Sequence, residues 1–219
     1  MSEAQLKNHV NSQLIWDNRV DERNIQVEVT NKSVTLKGSV PTIRAEIAAV
    51  DDALNVVGVS TVTNNLDVTL HDDLQNQDDV LQSNIENKLS YNPDINEFHV
   101  EVEVENNWVT LEGSVDALWK RFLIEEEVKD VVGVLGVTNK VTVAIDLDIE
   151  EEIIAEDIIN ALDRDSRVQP DTINVEVNDA HVTLSGVVHN YSAKEAAFNA
   201  AIRTAGVEEI EDDIVVEYS

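Results

Sequence analysis

A five-residue pattern, Val-Thr-Leu-x-Gly, occurs three times in this chain and constrains its fold more than any other feature. The three occurrences end at Gly38, Gly113 and Gly186. Twenty residues after each of these glycines stands a second glycine that precedes a valine, and these second glycines are Gly58, Gly133 and Gly206. Because six of the seven glycines occupy two repeated positions, the chain is predicted to contain three copies of one unit.

Apolar residues recur in the same register around all three patterns. Leu6, Val10 and Leu14 have the i, i+4, i+8 spacing of an amphipathic helix, and each later copy has the same spacing. Alternating runs that predict strands then precede the pattern and also follow the second glycine. The final alternating runs are Leu66/Val68/Leu70, Val141/Val143/Ile145 and Ile214/Val216/Tyr218.

Each copy is therefore predicted to fold as helix, strand, strand, helix, strand. This places the chain in the α+β class, as three tandem α-β-β-α-β domains that span residues 1–72, 73–148 and 149–219, here named repeats 1, 2 and 3. In each repeat the strands are expected to form a three-stranded mixed sheet with both helices on one face.

Short polar residues and glycines predict the turns and caps of this unit. Tight hairpins between the first two strands are expected at Asn31-Lys32, Asn106-Asn107 and Asn178-Asp179. The first glycine is expected to end the second strand, and the second glycine to form the C′ cap of the second helix. Both sets are interpreted as structural residues, since no phosphate-binding spacing such as GxGxxG occurs. Ser2 and Gln5 predict a capping box at the first helix.

The sequence of Val-rich strands, V-T-L-x-G, a helix, G-V and a final strand resembles the BON domain. All three repeats carry it, so the resemblance covers nearly the whole chain. The family includes osmotic-stress-induced periplasmic proteins and outer-membrane lipoproteins of bacteria. The resemblance therefore implies a non-enzymatic binding module that attaches to phospholipid or supports the cell envelope under stress.

The net charge of −29 restricts the partners of this chain. Residues 1–72 carry −4, residues 73–148 carry −12 and residues 149–219 carry −13. Such a field repels nucleic acid, which is excluded as a partner, and it also repels anionic membrane surfaces. Cysteine is absent, and neither a signal peptide nor a membrane-length apolar run occurs. The expected location is cytoplasmic, or periplasmic if an export segment has been removed; the oligomeric state is left open.

No constellation of residues predicts catalysis, a cofactor or a metal site. The histidines have neither HxxH nor HExxH spacing and do not recur between repeats; they are His9, His71, His99, His181 and His189. Acidic runs such as Glu125-Glu126-Glu127 and Glu150-Glu151-Glu152 lack a calcium-loop pattern and are interpreted as solvated faces. An enzyme is therefore disfavoured.

Comparison of the repeats with one another singles out two tryptophans. Trp108 corresponds to a serine and a histidine in the other repeats, and Trp119 corresponds to an arginine and a serine, so both are expected to be exposed. Trp119, Lys120, Arg121 and Phe122 are also the one place where two basic residues adjoin two aromatic residues. These four residues and Trp108 are the candidate lipid- or partner-binding residues. The alternative is that they cover surfaces between packed domains.

Two functions follow from these observations. The first is a non-catalytic BON-type binding protein with a phospholipid contact in repeat 2. The second is a soluble scaffold that holds a protein partner with its acidic faces and exposed strand edges.

Overall fold

The computed structural model describes residues 1–69, 77–95, 100–144 and 149–217. These residues form six α-helices and three separate three-stranded sheets, one sheet in each repeat. The predicted α+β class and the predicted order of elements are confirmed. The predicted domain junctions fall at 72/73 and 148/149, and these positions include residues outside the described ranges. Five other residues named above also lie outside them: Leu70, His71, His99, Ile145 and Tyr218.

The elements follow the same order in every repeat. Those of repeat 1 are α1 (Glu3–Trp16), β1 (Ile25–Thr30), β2 (Ser33–Val40), α2 (Ile43–Leu54) and β3 (Thr61–Val68). Those of repeat 2 are α3 (Asp78–Tyr91), β4 (Val100–Glu105), β5 (Trp108–Val115), α4 (Leu118–Lys129) and β6 (Gly136–Val143). Those of repeat 3 are α5 (Glu151–Arg164), β7 (Ile173–Asn178), β8 (His181–Val188), α6 (Tyr191–Ile202) and β9 (Glu209–Val216).

The second strand of each repeat is the central strand of its sheet. In repeat 1, β2 pairs antiparallel with β1 and parallel with β3. Strand β8 of repeat 3 pairs with β7 and β9 in the same way. The predicted mixed sheet is therefore present, and the second helix forms the crossover that a parallel pair requires.

The hairpin between the first two strands of each repeat closes with a two-residue turn in which both residues are left-handed. The φ values are 50° and 68° at Asn31 and Lys32, and Asn106 and Asn107 are similar. In repeat 3 the turn residues are Asp179 and Ala180, so the predicted Asn178-Asp179 turn is wrong by one residue. Asn178 still pairs with His181, because the register of the ladder sets the turn residues.

The first glycine of each repeat lies inside the central strand and does not end it as predicted. Gly38 has a φ of +124°, and β2 continues to Val40. A Cβ atom on Gly38 would collide with the carbonyl oxygen of Asn24, just before β1. Gly186 has the same relation to the carbonyl oxygen of Thr172. Both the backbone angle and the contact thus require glycine at this position.

The second glycine does not form the predicted C′ cap. Helix α2 ends at Leu54, its C-cap residue Asn55 is right-handed, and Gly58 follows three residues later with a φ of +101°. The amide of Val59 donates to the carbonyl oxygen of Val56 across this turn. A further turn therefore separates the end of α2 from Gly58, because the C-cap residue is still right-handed. The chain reverses only at the glycine.

Both helices of repeat 1 pack on one face of its sheet. Helix α1 buries Leu6, Val10 and Leu14, and its N-terminus carries the predicted capping box of Ser2 and Gln5. Helix α2 buries small residues; they are Ala45, Ala48, Ala49 and Ala53. Apolar burial of this kind is the main stabilising contribution in so small a domain. The opposite face of the sheet is polar.

The two glycine positions of repeat 1 are expected to differ in their tolerance of alanine. Gly38→Ala should lower the free energy of opening of repeat 1 by more than about 2 kcal/mol, because left-handed strain and a clash with a backbone carbonyl add together. Gly58→Ala, whose Cβ would make ordinary contacts with a leucine methyl group at 3.6 Å and with the Met1 sulfur at 4.0 Å, should cost about 1 kcal/mol from strain alone. Hydrogen exchange of the β2 amides measures repeat 1 separately. Equal losses in both variants would contradict the role of the Asn24 contact.

Candidate functional site

Trp108, a predicted binding residue, is exposed as expected but lies against its own sheet. It begins β5 and has 52% of its surface exposed. Its indole Nε1 donates a hydrogen bond to Thr138 Oγ1 at 2.9 Å. The ring covers Gly136 so closely that a Cβ on this glycine would overlap it. Gly136 is the seventh glycine of the chain and the one that stands outside the two repeated glycine positions.

The same cross-strand position holds a different pair in each repeat. In repeat 1, Thr61 Oγ1 donates to Ser33 Oγ at 2.9 Å, and in repeat 3 His181 Nε2 lies 3.0 Å from Glu209 Oε2. Trp108 and Gly136 occupy the equivalent positions of repeat 2. The sequence feature that could have predicted this contact is Gly136, which lies outside the two repeated glycine positions. It follows Trp108 by the same number of residues as Thr61 follows Ser33.

Trp119 and Phe122, the aromatic residues of the second candidate cluster, are half-buried, so the predicted exposure of Trp119 is wrong. Residues Gly113–Leu123 belong to one compact unit with Val141–Ser219. Within this unit both side chains pack against the buried cluster of repeat 3, and Phe122 meets Phe198 edge-to-face at a centroid distance of 5.5 Å. Their positions agree with the alternative that these residues cover surfaces between packed domains.

The two basic residues of this cluster also have protein partners. Lys120 Nζ lies 2.8 Å from Asp116 Oδ1 and 5.6 Å from the centre of the Trp119 ring. Arg121 is half-buried and has a partner as well. The four residues 119–122 therefore do not form an open basic and aromatic patch.

Two other aromatic side chains are far more exposed. Trp16 is 84% exposed and Tyr91 is 85% exposed, and they are the last residues of α1 and α3. They occupy the same position of repeats 1 and 2, where repeat 3 has Arg164. The sequence alone leaves their exposure ambiguous, because aromatic residues at a helix end satisfy a core pattern equally well.

The seam between the first and second helix differs in each of the three repeats. In repeat 1, Gln13 Nε2 donates to Asp52 Oδ1 across it at 3.2 Å. In repeat 2 the equivalent residues Lys88 and Glu127 form an ion pair at 3.2 Å. In repeat 3 both positions are alanines, Ala161 and Ala200, and they line a groove of about 510 Å³.

Asp52 is a buried carboxylate with an incomplete set of partners. Its side chain is 7% exposed, and its Oδ2 atom is buried without a hydrogen-bond partner. Burial raises the pKa of this carboxyl above its ordinary value, and the charge of Asp17 acts in the same direction. The hydrogen bond from Gln13 opposes this shift.

The described histidines do not form a metal site. The hydrogen bond to the carbonyl of Asp179, together with the charge of Glu209, raises the pKa of the exposed His181 imidazole. His9 and His189 are exposed. Among the residues that the structure describes, no group of three or more His, Asp or Glu side chains is placed to hold a metal ion. Within the same residues, no helix has both the length and the apolar character to cross a bilayer.

The BON domain model matches the chain three times, at residues 2–69, 77–145 and 150–218. The chain belongs to the BON domain family. BON domains are non-catalytic binding modules that occur in stress- and envelope-related proteins. This agrees with the resemblance stated from the V-T-L-x-G and G-V positions.

Comparison with curated proteins finds none that matches this BON protein. Among solved structures it is similar to CdsD, a structural protein of the type III secretion system of Chlamydia trachomatis, with 14% identity and a TM-score of 0.29 over 98% of this chain and 93% of that one. The C-terminal domain of CdsD gives 13% identity and a TM-score of 0.28 over 99% and 100% of the two chains. At these TM-scores neither likeness bears on the fold or the function.

The first BON domain is expected to become more stable at neutral pH when Asp52 is replaced by asparagine. A carboxyl with a raised folded-state pKa stabilises the fold below its unfolded-state pKa, and this stability is lost as the pH rises through the folded-state value. Asp52→Asn should therefore gain about 1 kcal/mol at pH 7 and nothing at about pH 3. Hydrogen exchange of repeat 1 at both pH values measures this. The exposed Asp67→Asn variant removes the same charge, and an equal gain there would contradict the role of burial.

Proposed function

We propose that this BON protein is a non-catalytic binding protein that docks on phospholipid surfaces through the exposed aromatic ends of α1 and α3. The observation that carries the proposal is the exposure of Trp16 and Tyr91, which leave 84% and 85% of their surface in solvent. Ile15, next to Trp16, adds a further exposed apolar side chain at 61%. Large rings in solvent at the same point of two domains indicate a contact surface.

The chemistry of these side chains favours the boundary between lipid and water. Tryptophan and tyrosine combine an apolar ring with a polar group, and they concentrate at the level of the lipid headgroups. Their equivalent positions in two domains of one chain allow two weak contacts to act together through their effective concentration.

The charge of the chain favours one kind of lipid surface, and the charge of each repeat indicates which of them such a surface repels least. Residues 1–72 carry ten acidic and six basic side chains, whereas residues 73–148 carry 17 acidic and five basic ones. Trp16 therefore lies in the domain that a phosphate-bearing surface repels least. A chain with a net charge of −29 is expected to prefer zwitterionic to anionic lipid.

Vesicle flotation of the full chain tests the proposal. The chain should float with phosphatidylcholine vesicles, and Trp16→Ala/Tyr91→Ala should weaken recruitment at least about tenfold, because burial of each ring contributes on the order of 1.5 kcal/mol. Trp108→Ala is the matched control, since its ring lies against its own sheet. Recruitment that is absent from the wild type, or unchanged in the double variant, would overturn the proposal.

A second candidate function is the binding of a basic protein partner by the sheet face of repeat 3 that lies opposite α5 and α6. On this face Thr183 lies between Glu176 and Glu211 in neighbouring strands, and Asp213 lies opposite Ser185. The paired Val187 and Val215 beside them are 40% and 54% exposed. Carboxylates next to exposed valines suit a basic and apolar strand or peptide.

This second candidate predicts salt-sensitive binding of a lysine- and leucine-rich peptide to the full chain. Fluorescence anisotropy of a labelled peptide should show affinity that Glu211→Gln/Asp213→Asn weakens, because close opposite charges on a sheet face attract. Glu101→Gln/Glu103→Gln on β4 changes the net charge equally and serves as the control. The same affinity in both double variants would show attraction to the whole chain and not to this face.

A further inference from the structure

Repeat 3 has a groove between α5 and α6. It has a volume of about 510 Å³, and Ala161, Ala196 and Ala200 form part of its lining. Three arginines also line it, Arg164, Arg167 and Arg203. Residues 149–219 contain 17 acidic and only four basic side chains. Three of the four basic side chains of this strongly acidic repeat thus meet at one groove.

Sequence differences between the repeats account for the opening of the groove. The helix seam is filled by Gln13 and Asp52 in repeat 1, and by Lys88 and Glu127 in repeat 2. Alanines at both positions of repeat 3 remove these side chains and the bridge between them. The backbone elements are the same, so space remains where the other repeats have contacts.

The basic residues at the rim are also specific to repeat 3. Arg164 takes the position of Trp16 and Tyr91. Arg203 takes the position of Asn55 in repeat 1 and Asp130 in repeat 2. Repeat 3 therefore combines an open seam with two cations that neither of the other repeats has.

The three arginines differ in their partners. Arg167 Nη2 and Nε donate to the two carboxylate oxygens of Asp165 at 2.6 Å and 2.9 Å, a pair that Arg19 and Asp17 repeat in the first domain. Arg167 is therefore a structural residue of the loop. For Arg164 and Arg203, the described part of the chain supplies no ion-pair partner.

We propose that this groove binds a phosphate ester, with its phosphate between Arg164 and Arg203 and its less polar part against the alanines. Guanidinium groups present planar pairs of donors that match phosphate oxygens. Two carboxylates also line the groove: Asp165 is paired with Arg167, and the two remaining arginines outweigh Asp157. The alanines leave room for the organic part of the ligand. The inference does not rest on the docking of Trp16 and Tyr91, which lie in other repeats.

NMR titration of the full, isotope-labelled chain with inorganic phosphate and with glycerol 3-phosphate tests the proposal. Saturable shifts confined to amides of α5, α6 and the following turn are expected, with glycerol 3-phosphate the tighter ligand. Arg164→Gln/Arg203→Gln should weaken binding at least about tenfold, because each charge-assisted hydrogen bond from arginine contributes that order of affinity. The spectra of repeats 1 and 2 report in the same sample that the chain is folded.

Two further variants separate the groove from general electrostatics. Arg23→Gln/Arg44→Gln, in repeat 1, changes the net charge equally and should leave binding unchanged. Ala161→Gln/Ala200→Asp installs the side chains of the repeat 1 seam and should abolish binding of glycerol 3-phosphate while keeping both arginines. Shifts spread over all repeats, equal losses in both arginine variants, or no saturable shift in the wild type would overturn the proposal.

Vesicle flotation decides whether the phosphate belongs to a lipid headgroup or to a free phosphate ester. Vesicles of phosphatidylcholine with phosphatidic acid offer the same phosphate group at a lipid surface. An increase in recruitment over vesicles of phosphatidylcholine alone that Arg164→Gln/Arg203→Gln abolishes, while Trp16→Ala/Tyr91→Ala retains it, would identify a lipid headgroup as the ligand. Saturable binding of glycerol 3-phosphate without such recruitment would identify a free phosphate ester.

Discussion

The close approach of the first glycine to the chain just before the first strand is the constraint on which each domain depends. In repeat 1, Gly38 lies in the central strand at a φ of +124°, directly beneath the carbonyl oxygen of Asn24. This contact holds the start of β1 at Gly38, and the parallel partner of the same glycine is Leu66. Both outer strands are thus aligned with the central strand at Gly38, a residue without a side chain. This register places the apolar residues of all three strands on the face that the helices cover.

With the backbone held by this contact, the seam between the two helices is free to differ. A hydrogen bond joins Gln13 and Asp52, an ion pair joins Lys88 and Glu127, and alanines leave the third seam open. A partly exposed polar pair contributes little net stability, so the domain folds without it. One fold can therefore carry a closed seam with exposed aromatic residues in two repeats and an arginine-lined groove in the third.

The fold could be predicted because its signals are local and occur three times. Periodic apolar residues and the V-T-L-x-G positions indicated every helix and strand, and only the end of the second strand, the helix C-caps and one turn were predicted wrongly. The candidate site was harder to predict from the sequence. Comparison of repeats predicted an exposed Trp119 because its equivalents are polar, but that comparison assumes equal surroundings. Trp119 instead packs against the cluster of repeat 3, and Phe122 beside it meets Phe198.

The sequence by itself determined the number of repeats, the order of their elements, the face that each strand buries and the two positions at which glycine has a structural role. These properties depend on periodicity and backbone angles within one short unit. Only the tertiary structure decided that Trp108 lies over Gly136, that Asp52 is buried with an unpartnered oxygen, and that three arginines share one groove. Each of these depends on which side chains meet across segments that are distant in the chain, and no local pattern contains that information.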